Sequence, residues 1–206
     1  MSLKFFSAVA AVIMVSTTLQ VNADVFSDVT KGRFYSDDQA AAQYEANTGN
    51  ELVMKQLLNA TEGEAFDVWV QHIWLTGSGA QTVTPGVGRG YVNHTRLVPS
   101  LQIKEQIISA GLPSDDDELA IPTILYKVRA PGLFPIDDHI AFVRFIQDFS
   151  QATPQTELVW TIKLTYSAEG NAMFVNPSDV GPFLKNAVVA ALAGLAQTVN
   201  DLKQSV

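Results

Sequence analysis

Residues 158–166 read Leu-Val-Trp-Thr-Ile-Lys-Leu-Thr-Tyr, and residues 177–202 read Pro-Ser-Asp-Val-Gly-Pro-Phe-Leu-Lys-Asn-Ala-Val-Val-Ala-Ala-Leu-Ala-Gly-Leu-Ala-Gln-Thr-Val-Asn-Asp-Leu. In the first segment Leu158, Trp160, Ile162, Leu164 and Tyr166 share one face, while Thr161, Lys163 and Thr165 take the other. That is the period-two pattern of a strand with one dry and one wet face. In the second, Val180, Phe183, Leu184, Ala187, Val188, Ala191, Leu192, Leu195, Val199 and Leu202 recur at spacings of three, one and four. With Pro177 ahead and Ser178 or Asp179 as N-cap, this predicts a long amphipathic helix. Ala187, Ala190, Ala191, Ala193, Gly194 and Ala196 make its middle slim, so it either lies close to a sheet or leaves volume unfilled beside it.

Upstream, strands are predicted over Tyr91–Val98, Leu101–Ala110, Pro122–Ala130 and His139–Phe149, each bounded by Gly, Pro, Asp or Ser. Connections this short suit an antiparallel meander. Alternation sets Ile124, Tyr126 and Val128 opposite Leu125, Lys127 and Arg129, and sets Ile103, Glu105 and Ile107 opposite Gln102, Lys104 and Gln106, so Glu105 falls on the dry face. Thr61-Glu62-Gly63-Glu64 fits a capping box, predicting a helix to about Leu75 with Phe66, Trp69, Val70, Ile73 and Trp74 on one face. Between them Thr76–Gly90, with glycines at 77, 79, 86, 88 and 90, reads as loop. Leu52–Leu58 reads as a strand opening the domain proper at Glu51, and residues 24–50, which include the alanine-rich piece Asp38–Ala46, as a polar, loosely attached leader with room for one short helix.

The chain has 206 residues, 47% of them apolar, enough for one substantial core over 51–206. Its 21 acids against 13 bases give a net charge of −8, which argues against tracking phosphates, so neither nucleic acid nor an anionic membrane is an expected partner. The run Asp115-Asp116-Asp117-Glu118 reads as a solvated loop. Residues 1–23 have the form of a signal peptide: Lys4, an apolar run Phe5–Leu19, and Val21-Asn22-Ala23 before a cleavage expected at Asp24. The expected location is therefore secreted or periplasmic, with no stable membrane insertion after cleavage. Asn59-Ala60-Thr61 and Asn93-His94-Thr95 match the glycosylation acceptor pattern.

Thiolate chemistry is excluded by the absence of cysteine. His72, His94 and His139 stand at no metal-ligand spacing, and neither a metal nor a cofactor is expected. Asp137-Asp138-His139 comes without a serine elbow, and the turn Gly86-Val87-Gly88-Arg89-Gly90 precedes a strand rather than opening a helix, unlike a phosphate loop.

The order strand, helix, Gly-rich loop, antiparallel strands and long C-terminal helix, with Trp69, Trp74, the Gly86–Gly90 turn, Ile103-Lys104-Glu105-Gln106-Ile107, Ile124-Leu125-Tyr126-Lys127-Val128 and Leu158-Val159-Trp160-Thr161, resembles the START/Bet v 1-like (SRPBCC) superfamily and its polyketide cyclase/dehydrase-like members. The resemblance covers roughly residues 51–200. It implies an α+β helix-grip fold, a curved antiparallel sheet wrapped around the long helix, and a pocket between them for a lipid, sterol or polyketide-like molecule. Two departures are the export segment and the arginine expected just after the glycine turn: Arg89 lies inside the turn and Arg96 late in the next strand.

The expected pocket walls are Trp69, Trp74, Tyr126, Trp160, Phe183 and Val188. Glu105, flanked by Ile103 and Ile107, is the candidate proton shuttle, or else the partner of an Arg, Lys or Tyr; Tyr126 is the candidate polarising donor. Three readings stand: an exported carrier of a small hydrophobic molecule, a cyclase, dehydratase or isomerase using Glu105 and Tyr126, and a filled core without a cavity.

Overall fold

The computed structural model describes residues 33–34, 38–111 and 120–204; the segment read as a signal peptide and the acidic run 115–118 lie outside the described residues. In chain order the elements are β1 (Arg33–Phe34), α1 (Asp38–Ala46), β2 (Asn50–Leu58), α2 (Glu62–Trp69), a π-helical segment (Val70–Leu75), β3 (Gln81–Thr84), β4 (Thr95–Val98) and β5 (Ile103–Gly111). Then come β6 (Ala120–Ile121), β7 (Thr123–Ala130), β8 (Ile136–Asp148), β9 (Gln155–Tyr166) and α3 (Val180–Gln204).

Seven strands form one antiparallel sheet in the order β2-β9-β8-β7-β5-β4-β3. The meander from β3 to β9 is closed by the early strand β2 along β9, from Asn50↔Leu164 to Leu58↔Thr156. The sheet curves around α3, the expected α+β helix-grip arrangement. The inner faces of β5, β7, β8 and β9 meet α2, the π segment and α3 in one core, where Ile107, Ile124, Val143, Phe145, Leu158 and Ile162 are fully buried. From α3 that core receives Val188, Leu192, Leu195 and Val199. Helix 177–204 is also, by length and composition, apolar enough to cross a membrane.

Local chemistry accounts for the elements. Thr61 accepts the Glu64 amide and the Glu64 carboxylate accepts the Thr61 amide, so the capping box sets the start of α2 as expected. Two bulges between β5 and β7, one at Arg129 on β7 and one at Ile108 on β5, bend the strands and help the sheet curve. A Cβ on Gly90 would collide with Ala110 of β5, which is why the turn ahead of β4 needs glycine there.

Four expectations are corrected. Thr76–Gly90 is not all loop, because Thr82, Val83 and Thr84 lie in a short edge strand along β4, where β-branched residues suit the pleat. Tyr91–Asn93 is not strand, since Tyr91 and Asn93 take φ of 53° and 67° and β4 begins only at Thr95. The leader is not loose over 38–46: α1 packs Ala40 and Tyr44 on Leu125 and Ile140 of the convex face. Lys163 Nζ donates to the Tyr44 carbonyl at 3.0 Å and stands over the Tyr44 ring. The second face of β9 is consequently dry along much of its length, with Glu157, Val159 and Thr161 buried; Ile121 and Ile146 cover Val159. Alternation reports only that two faces differ, so a second covering layer escaped it.

Candidate functional site

Trp69 ends α2 and Trp74 lies in the π segment. In an α-helix, positions five apart point about 140° away from each other. The wider π turn brings the two indoles onto one side, with centroids 6.1 Å apart and planes 19° from parallel. Tyr126 of β7 and Trp160 of β9 rise from the concave sheet to meet them: Trp69 lies 5.3 Å from Trp160 and Trp74 lies 5.1 Å from Tyr126, centroid to centroid. Four of the six expected wall residues thus form one buried cluster. Phe183 instead joins Phe134 and Phe174 near the start of α3, at 5.8 and 5.5 Å, and Val188 is buried in the common core.

Glu105 faces inward as expected, but paired: Oε2 accepts from Arg96 Nε and Nη2, each at 2.7 Å. The two are cross-strand partners on β4 and β5, both buried. Arg96 Nη1 donates to the carbonyls of Ile73 and Trp74 at 2.6 and 2.9 Å, and its guanidinium stacks 4.1 Å from the Trp74 ring centroid. Arg96 therefore closes the C-terminal end of the π segment, where a cation is favoured. Two further arginines are surface ties: Arg89 holds the glycine turn to α2 through Asp67, and Arg129 donates to Gln106.

Two histidines complete the interior. His94 Nδ1 accepts from Trp74 Nε1 at 2.8 Å, which places its proton on Nε2, 3.1 Å from Thr82 Oγ1. His139 of β8 sits on the same concave face, its ring 5.8 Å from Tyr126, and burial holds it below the usual imidazole range. Burial, then the nearby Arg96, does the same to His94. Tyr126 is pushed well above the usual phenol range by burial and by the Glu105 charge, and its hydroxyl accepts from Trp160 Nε1 at 3.1 Å. Within this cluster Trp69 Nε1 and His139 Nδ1 are buried and make no hydrogen bond.

The sequence assigns no place in the site to Arg96, His94 or His139. For two of them a signal existed: Arg96 shares parity with the inward Val98, and His139 with Ala141, Val143 and Phe145. His94 precedes its strand in an irregular turn, where alternation gives no signal.

Two open clefts lie elsewhere. One, about 590 Å³, is lined by Asn59, Thr153, Gln155, Gln197, Asn200, Lys203 and Gln204; the other, about 410 Å³, by Thr48–Asn50 and Leu164–Tyr166. None of the expected wall residues lines either. Among the described residues no group of three His, Asp or Glu could hold a metal ion.

No protein-family model and no curated protein matches this chain. Solved structures match in fold. The crystal structure of Ara h 8.0201 aligns with a TM-score of 0.52 at 9% identity, over 74% of this chain and 98% of that one. A solution structure of a Thermobifida fusca protein aligns with a TM-score of 0.50 at 17% identity, over 74% and 94%. XoxI from Bacillus cereus aligns at 0.49 and 12% identity, over 74% and 97%. The chain has the Bet v 1-like helix-grip fold; at these identities what is shared is the fold alone.

Proposed function

We propose that this protein binds a small hydrophobic molecule between the concave sheet, the π segment and α3. The observation that carries the proposal is a buried cluster of three indoles, a phenol and the His139 imidazole, in which two polar atoms, Trp69 Nε1 and His139 Nδ1, find no partner. Buried polar groups are nearly always hydrogen-bonded, so the protein's own atoms do not complete this interior. π turns are also frequent at functional sites. The catalytic alternative, Glu105 shuttling a proton while Tyr126 polarises a carbonyl, is less well supported. Glu105 Oε2 is engaged by Arg96, and the Tyr126 hydroxyl by Trp160.

Native mass spectrometry with organic extraction, applied to residues 24–206 purified from the source, tests this. A stoichiometric co-purifying hydrophobic molecule is expected. An empty protein that also fails to bind a solvatochromic dye would leave the filled core as the better reading. We further propose export through residues 1–23; N-terminal sequencing of the mature protein is expected to begin at Asp24.

A further inference from the structure

We infer that Trp69 and His139 are the specificity-determining pair of this site and that they select a neutral, largely aromatic or alicyclic molecule bearing a hydroxyl or carbonyl oxygen. The inference rests on the binding reading above and adds the chemistry of the ligand.

Three properties of the interior lead to it. First, the unpaired atoms lie on rings that flank one side chain, Trp69 at 6.4 Å and His139 at 5.8 Å from the Tyr126 ring, in a region closed by aromatic faces. An indole N–H only donates, so its partner must bring an acceptor oxygen; a neutral imidazole nitrogen takes either role, so a hydroxyl or carbonyl suits both. A pure hydrocarbon would leave both groups desolvated and unmatched.

Second, the charges facing the cluster cancel. Arg96 and Glu105 form a closed pair, and Arg96 Nη1 donates to the Ile73 and Trp74 carbonyls. A carboxylate would enter beside Glu105 with no free cation to receive it, and a cation would compete with Arg96. The other nearby carboxylate, Asp138, accepts from Asn47. Burial disfavours the charged form of His139, so it supplies no charge to pair with an anion.

Third, the surroundings are rigid conjugated rings, those of Trp69, Trp74, Tyr126 and Trp160, whose faces and edges suit a ring system better than a flexible chain.

Titration calorimetry of the full mature chain with 2-naphthol, naphthalene and 2-naphthoate at neutral pH tests the inference, alongside binding of a solvatochromic dye. The expected result is 2-naphthol tighter than naphthalene by about tenfold, the effect of one buried hydrogen bond, against the order set by partition out of water, with 2-naphthoate weakest. Trp69→Phe and, independently, His139→Leu should each reduce that preference, read as the ratio of 2-naphthol to naphthalene affinity within each variant, so that a general loss of wall contact does not move it. If either variant fails to fold, the other reads the same difference. Equal binding of 2-naphthol and naphthalene, or tighter binding of 2-naphthoate, overturns the inference and leaves the binding site standing. Failure of all three probes and of the dye overturns both.

Discussion

Arg96 and Glu105 meet across β4 and β5 in a setting where neither charge is tolerable alone. Arg96→Met strands a buried carboxylate and frees the carbonyls of Ile73 and Trp74, and should cost about 3–5 kcal/mol in urea unfolding. The double change Arg96→Met with Glu105→Leu should recover much of that loss; a double variant as unstable as the sum of the singles would show that the pair is not a unit. His139 and His94 act through pH. Both are held below the ordinary imidazole range, so the folded state resists a proton that the unfolded chain accepts. Their contribution is present above about pH 6.5 and is lost as pH falls below it. The urea midpoint should drop between about pH 7.5 and about pH 5.5, and His139→Leu should shrink that drop while His94 retains the remainder. An unchanged slope in the variant would mean that His139 is not the buried acceptor of that linkage.

At the level of elements, the decisive piece is the helix from Glu62 to Leu75, which starts as an α-helix and ends as a π-helix. Its start was legible, because a capping box is a local pattern satisfied by four consecutive residues. Thr61→Ala should lower stability by about 1 kcal/mol through loss of the bond to the Glu64 amide, measurable as a shift in the urea midpoint without a change in slope. Its π-helical end was not legible. Trp69 and Trp74 stand five apart, a spacing that an α-helix would splay; they stack because the helix widens into a π turn, whose last carbonyls Arg96 engages from a strand 22 and 23 residues later. The edge strand β3 was hidden for a similar reason: four residues are too few to carry a period, and their partner strand supplies the order.

Across the whole molecule, the sheet is covered on both sides: α2, the π segment and α3 fill the concave face, while α1 and the pair β1–β6 lie with the convex one. A chain beginning at Asn50 would expose Leu125 and Ile140, so its thermal midpoint should fall by several degrees relative to residues 24–206, and Tyr44→Ala should reproduce part of the fall. Equal midpoints would return α1 to the status of a loose leader. The sequence by itself determined β2, β5, β7, β8 and β9, the long amphipathic helix, the inward placement of Glu105, Tyr126 and Trp160, and the helix-grip order, because each follows from local periodicity and caps. Only the tertiary structure decided that Glu105 is paired with Arg96, that Trp69 and Trp74 stack, that His139 and Trp69 keep unpaired nitrogens, and that the leader helix covers the outer face. Periodicity fixes which way a side chain points; what it meets depends on strand register and on which elements pack opposite, and those are set by contacts between residues far apart in the chain.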